Sequence, residues 1–286
     1  MELPLTVCAS IKVSDCLVFA ADSALSMSHR LPDGTVSVRR VYDHGIKVFN
    51  LCRGLPVSAM FSGLGNIGLA SISSVVKDLR VLFSQPDSEF FVDQGNYNLS
   101  DVAEKAREYI VGRRIPESGI QLPGASLNFW IGGYSSHQEF SDVFRLDIID
   151  GVCVAPSAIQ VGDQFGWATS GDSEAVSRLL NGYSLMLPNI LENAGLDQQT
   201  IENVKLQMMQ NTSSQLIEAS MPVQDAIDLA RFVVDTVKGY VRFRPEANTV
   251  GGDTDIALVT KHEGFKWIQR KHFYNVALNR ETDHVK

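Results

Sequence analysis

The order of apolar patterns along the chain predicts an α+β fold in which two antiparallel sheets pack face to face under outer helices. Three observations carry this expectation. Strand-like runs dominate up to about Ser62, and two helical stretches follow. A second strand block, a second helical block and two closing strands complete the order. That succession lacks the strict β-α-β-α alternation of a parallel sheet. A chain of 286 residues can bury a sizeable core, so one domain over 1–286 is expected.

Element by element, Leu5 to Val13 is an alternating, β-branched run, Ser14-Asp15 is a turn, and Cys16 to Ala21 is a second strand. The polar stretch Ser28 to His44 carries Arg30, Arg39 and Arg40 and reads as an exposed hairpin turning at Pro32-Asp33-Gly34. A helix is expected from Asn66 to Phe83, where Leu69, Ile72, Val76, Leu79 and Phe83 recur at helical spacing, and Gln85-Pro86-Asp87 ends it. Ser100 is a good N-cap for a second helix to Val111, with Val102, Ala106 and Ile110 on one face and a break at Arg113, Arg114 and Pro116. Strands are expected within Ala125 to Ala168, at Leu127 to Gly133, Val143 to Ile149 and Gly151 to Val154. Ser170 or Gly171 caps a helix through Leu180, and 184–219 reads as helical with a break at Gly195-Leu196-Asp197. Met221-Pro222-Val223 opens the clearest helix, striped by Ala226, Leu229, Ala230, Val233 and Val237. Strands at Asp255 to Thr260 and Phe265 to Arg270 close the pattern, and Glu281 to Lys286 is a frayed end.

Composition narrows the function classes. A chain that is 44% hydrophobic and 20% charged is ordinary for a globular protein, which argues against disorder. A net charge of -8 gives no footprint for nucleic acid or an anionic membrane. The start Met1-Glu2-Leu3-Pro4-Leu5 lacks the basic and apolar regions of a signal peptide, and no apolar run approaches membrane-spanning length, so a cytoplasmic location is expected. Cys8, Cys16, Cys52 and Cys153 show no metal-type pairing and read as small core residues of a reducing compartment. No cofactor or metal is expected.

Three residues stand out for chemistry. An antiparallel pair brings the start of its first strand beside the end of its second, which makes neighbours of Thr6 and Asp22 across sixteen residues. A threonine hydroxyl whose own α-amine can become free is a self-contained nucleophile–base unit. Asp22 follows Phe19-Ala20-Ala21 and needs a partner if buried, and Lys47, in an apolar stretch, is the expected one. Each has a plain alternative: a strand threonine, a turn-capping aspartate, an outward-facing lysine. Separately, Gly63-x-Gly65-x-x-Gly68 between a strand and a helix has the layout of a dinucleotide-binding turn.

Taken together, these residues resemble the proteasome β-subunit-like N-terminal-nucleophile hydrolases. The likeness lies in Thr6 opening the first strand, Ala20-Ala21-Asp22-Ser23 ending the second, and Lys47 in Gly45-Ile46-Lys47-Val48-Phe49 starting the third. It extends to the turn Phe61-Ser62-Gly63-Leu64-Gly65 and to Val250-Gly251-Gly252-Asp253 with its closing hairpin, covering most of residues 5 to 270. The resemblance implies a four-layer αββα sandwich and a threonine-type peptidase or amidase acting through Thr6 once residues 1–5 are removed. It assigns Asp22 and Lys47 to the catalytic centre, with the backbone N–H of Gly63 facing the oxyanion. The family's mid-chain helix-start serine falls on Ser170 or Asp172, and Glu246 stands next to the family aspartate position. A peptide or amide substrate and a homo-oligomer are implied, with any ATPase partner left open. The alternative is a proteasome-fold scaffolding subunit without hydrolysis.

Overall fold

A computed structural model describes residues 6–30, 36–245 and 248–271. The first sheet is seeded by β1 (Val7–Lys12) and β2 (Cys16–Ala21), in which all twelve side chains are buried. Such strands need cover on both faces, because neither alternates with exposed polar residues. The exposed hairpin expected between Ser28 and His44 is β3 (Leu25–Arg30) paired with β4 (Val36–Tyr42), and its turn at Pro32-Asp33-Gly34 lies outside the described residues. Then come β5 (Val48–Asn50), β6 (Val57–Gly63), and a small hairpin of β7 (Asn66–Ile67) and β8 (Ala70–Ser71). Helices α1 (Ile72–Phe83), α2 (Leu99–Arg107) and, after a run of wide π-type turns, α3 (Ile115–Ser118) follow.

The second half contains β9 (Ser126–Gly133), β10 (Asp142–Ile149), β11 (Ser157–Gln160), β12 (Gly166–Gly171) and α4 (Glu174–Val176). Helices α5 (Leu187–Asn193), α6 (Gln198–Thr212) and α7 (Val223–Arg242) come next, and β13 (Asp255–Thr260) and β14 (Gly264–Gln269) close the described chain. One five-stranded sheet has the order β12-β1-β2-β13-β14 and the other β11-β10-β9-β6-β5, with every described pair antiparallel. The protein is therefore mixed α+β with antiparallel sheets, and among its described residues no parallel βαβ unit surrounds Gly63-x-Gly65-x-x-Gly68. No described helix is long and apolar enough to cross a membrane.

Apolar side chains gather in three clusters. Val7, Ala9 and Ile11 of β1 pack with Val18 and Ala20 of β2 against Ala230, Val233, Val234 and Val237 of α7. Phe61 and Phe129 pack against α1 and α2 through Val76, Leu79, Val102 and Ala106. The third cluster draws on both sheets, joining Cys8, Leu17 and Phe19 to Met60 and Trp130. Alternation along β1 therefore sends Val7, Ala9 and Ile11 toward α7, and Cys8 to the side shared with the other sheet. Thr6, Ser10 and Lys12 share the parity of Cys8. Each fully buried valine or leucine contributes roughly 1.5–3 kcal/mol, so the long stripe of α7 is a main stabiliser of the sheet that carries Thr6.

Several boundaries differ from the sequence reading. Asn66 to Ser71 forms the β7–β8 hairpin instead of the first helical turns, and Leu69 is fully exposed. Ser71 is the true N-cap of α1, accepting from Ser74 N. Asn98, not Ser100, caps α2. The break at Arg113, Arg114 and Pro116 is absent: Ile115 N–H bonds to Ile110 O, five residues back, and the helical path continues to Ser118. Gly151 to Val154 forms no strand beyond a single bridge from Ile149 to Val152. Ser173 rather than Ser170 or Gly171 precedes α4, and the chain beyond Thr212 leaves the helix that was expected to run to 219. The break before Asp197 is present, with its carboxylate capping Thr200 N.

Lys12 was unremarked in the sequence and is completely buried at the far end of β1. Its ammonium donates to Gly162 O at 2.8 Å and Gln160 O at 3.5 Å and lies over the Phe165 ring. Burial pushes its pKa down to about 8, while Asp142 and Asp163 pull it back up. Between that value and the unfolded value of about 10.4, the unfolded chain holds a proton that the folded chain has released. This group's contribution to stability therefore rises with pH across that window. Lys12→Met is expected to remove that rise. The difference between wild-type and variant unfolding free energies should change by about 1–3 kcal/mol between pH 8 and 10.5, and a flat difference would show that the amine stays charged.

Candidate active site

The β1–β2 register pairs Cys8 with Ala21, and Asp22 N–H donates to Val7 O at 3.2 Å, so the ladder continues to the edge where Thr6 enters β1. Asp22 N–H, Val7 N–H and the Asp22 carboxylate thus fold back on one another. Asp22 Oδ1 accepts from Val7 N at 3.0 Å and from Thr6 Oγ1 at 2.5 Å. Its other oxygen accepts from Ala24 N and Gly251 N, both at 3.0 Å. Lys47 arrives immediately ahead of β5, its backbone fixed by Phe61 N–H donating to Lys47 O at 3.0 Å. Its ammonium reaches Asp22 Oδ1 at 2.7 Å and also donates to Thr6 Oγ1. The three side chains sit at 2%, 0% and 1% exposure for Thr6, Asp22 and Lys47, so water does not screen them.

Three amide donors, one hydroxyl and one ammonium satisfy the desolvated carboxylate, which is what a buried ion pair requires in order to persist. Thr6 is held at its carbonyl as well. Asp172 N–H donates to Thr6 O at 2.7 Å, and the preceding Gly171 turns at φ 84°. A Cβ on Gly171 would stand 2.0 Å from Thr6 O, so no other residue lets the end of β12 come this close. The Gly251-Gly252 pair anchors the same corner from the C-terminal side, since Ser23 N–H donates to Gly251 O at 2.9 Å while Gly251 N–H serves Asp22.

The supporting residues divide. Gly63 closes β6 at φ 95°, where a Cβ would meet Ser126 O at 2.2 Å. The end of that strand is tied to β1 because Cys8 Sγ donates to Phe61 O at 3.0 Å. Ser170 Oγ is within 2.8 Å of Ser62 Oγ and accepts from Trp130 Nε1 at 3.0 Å. Asp172 lends its backbone to Thr6, but its carboxylate turns away to Arg244 Nη1 at 2.6 Å; burial raises its pKa and Arg244 opposes the shift. Glu246 lies outside the described residues.

Cys8 is the small core residue expected of it, whereas Lys271 escaped the sequence reading. Cys8, on the Thr6 side of β1, is no rival nucleophile: burial pushes its thiol up to about 12, and the nearby Lys47 charge offsets this only in part. Lys271, beyond the last expected strand, pairs with the buried Asp255 at 2.6 Å and donates to Ser23 Oγ, while Ser23 Oγ donates to Asp253 O. This second buried pair fastens the residue after Asp22. Only the acidic run at Asp253 and Asp255 hinted at it. A comparison with models of known protein families finds no match, and a comparison with curated protein sequences finds none either.

Proposed function

We propose that the chain is a proteasome β-like N-terminal-nucleophile hydrolase, a threonine-type peptidase or amidase with the four-layer αββα arrangement of that family. The observation that carries this reading is the meeting of Thr6 Oγ1, the Lys47 ammonium and the Asp22 carboxylate in a dry corner at the start of β1. Removal of residues 1–5 frees the Thr6 α-amine. That amine takes the hydroxyl proton, directly or through water, as Oγ1 bonds to the substrate carbonyl carbon. Lys47 favours the developing alkoxide electrostatically, and Asp22 fixes the lysine and balances its charge. The carbonyl oxygen becomes an oxyanion beside the Gly63 backbone. The C–N bond then breaks as the leaving amine takes the proton, and water hydrolyses the Thr6 ester.

Two packed sheets with apolar contacts on their outer faces to α1, α2 and α7 support the layer arrangement. The outer helices are the surfaces through which such a subunit would assemble with copies of itself. Intact-mass spectrometry of the purified protein tests the reading. The mass is expected to correspond to a chain beginning at Thr6, and to rise by one equivalent after treatment with a peptide epoxide or vinyl sulfone. An unprocessed chain that takes no label would leave the scaffolding role instead.

A further inference from the structure

We propose that a cavity walled by Arg145 and Asn128 beside Thr6 receives an anionic side chain, glutamate or aspartate, of the peptide substrate; this inference rests on the peptidase reading above. The cavity has a volume of about 390 Å³ and opens where the end of β12 meets the chain leading into α5. Gly171 is part of its wall and also packs directly against the Thr6 carbonyl, which ties the cavity to the strand end that carries Thr6. Trp167 and Leu185 supply apolar walls. Leu185, near the start of the stretch 184–219, thus contributes to the neighbourhood of the site.

Among the described residues lining the cavity, Arg145 alone carries a charge. It is a prepared group rather than a loose surface arginine. Its guanidinium lies over the ring of the fully buried Trp130, 5.3 Å from the centroid. Nη2 donates to Asp147 Oδ2 at 3.0 Å, and Nε stands 2.6 Å from Asp147 Oδ1 as an ion pair without hydrogen-bond alignment. Of the five N–H donors on the fork, the two on Nη1 have no acceptor among the described residues. The same Asp147 accepts from Asn128 Nδ2 at 2.8 Å, so one carboxylate orients both polar walls. Ser170 is pinned between Ser62 and Trp130 and closes the floor. A carboxylate entering here meets unused N–H donors on a delocalised cation already held in place, the arrangement that arginine offers to oxyanions. A lysine side chain would meet the same cation, and the carboxylate of Asp147 is already taken up by Arg145 and Asn128.

The test uses the protein beginning at residue 6 and a set of peptides that carry Glu, Gln or Lys at one position at a time, otherwise of glycine and alanine. Binding to the Thr6→Ala protein is measured by calorimetry, and hydrolysis by the wild-type protein is followed in parallel. At one position the Glu peptide is expected to bind about tenfold or more tightly than its Gln counterpart, with the Lys peptide weakest. Arg145→Gln should erase the Glu preference, bringing the Glu and Gln peptides to equal affinity. Leu185→Glu, a change at a half-exposed position, should weaken the Glu peptide by placing a fixed carboxylate at the mouth; it serves if Arg145→Gln fails to fold. Equal binding of Glu and Gln peptides, binding of no peptide, or a Glu preference that survives both variants would overturn the inference. Binding with the stated preference but without hydrolysis would sink the peptidase reading and leave this one standing.

Discussion

Lys47→Met is expected to cost about 3–5 kcal/mol of folding free energy. The substitution keeps most of the aliphatic length and removes only the ammonium. What remains is a fully buried Asp22 carboxylate facing three backbone N–H groups and the Thr6 hydroxyl with no cation. Asp22→Asn should be damaging in the complementary sense, because it strands a buried ammonium whose other partner is Thr6 Oγ1. The double variant Asp22→Asn with Lys47→Met should recover a substantial part of the loss, since neither charge then remains to be desolvated. A cycle of denaturant unfolding curves reads this coupling directly, and about 2 kcal/mol or more of interaction is expected. If Lys47→Met instead shifts stability by less than about 1 kcal/mol, as an exposed pair would, the corner is wet and the electrostatic account of Thr6 fails with it.

The corner was legible because it is local twice over. The spacing from Thr6 to Asp22 is fixed by one hairpin, and β2 ends at Ala21 just as its apolar run does. Lys47 was legible in part: its apolar neighbours in Gly-Ile-Lys-Val-Phe favoured an inward lysine over the outward-facing alternative, and it is buried. Other features depended on partners far away in sequence. Nothing near Lys12 announces that Gln160 and Gly162 will offer it their carbonyls, and nothing near Arg145 announces the Trp130 ring and the Gly171 turn that make it a cavity wall. Periodicity misled where it matched by accident. Leu69 stands three residues before Ile72 and so extends the stripe, but the glycines at 65 and 68 favour a turn, and the Ser71 cap marks where the helix begins. Pro116 misled in the opposite direction. Its missing N–H does not end the helical path, because wide turns before it have already shifted the pairing to residues five apart.

Thr6→Ala is expected to abolish acylation and lower peptide hydrolysis by at least about 10⁴-fold, while Thr6→Ser retains activity within roughly tenfold of wild type. The argument turns on what each change leaves behind. Alanine removes Oγ1 but not the Lys47–Asp22 pair at 2.7 Å, nor the amides that hold Asp22, so the loss of stability should stay at about 1–3 kcal/mol and leave the protein folded. The activity loss can therefore be assigned to the missing hydroxyl rather than to a collapsed corner. Serine restores the hydroxyl between the same two charges and loses only the methyl group that limits its rotation, so the nucleophile is present but held in fewer of its productive orientations. Steady-state rates on a fluorogenic peptide, together with the mass of the labelled protein, separate the two variants. Were Thr6→Ala to hydrolyse peptides at a rate near wild type, some other group would carry the chemistry, and the meeting of these three side chains would be a buried structural tie and nothing more.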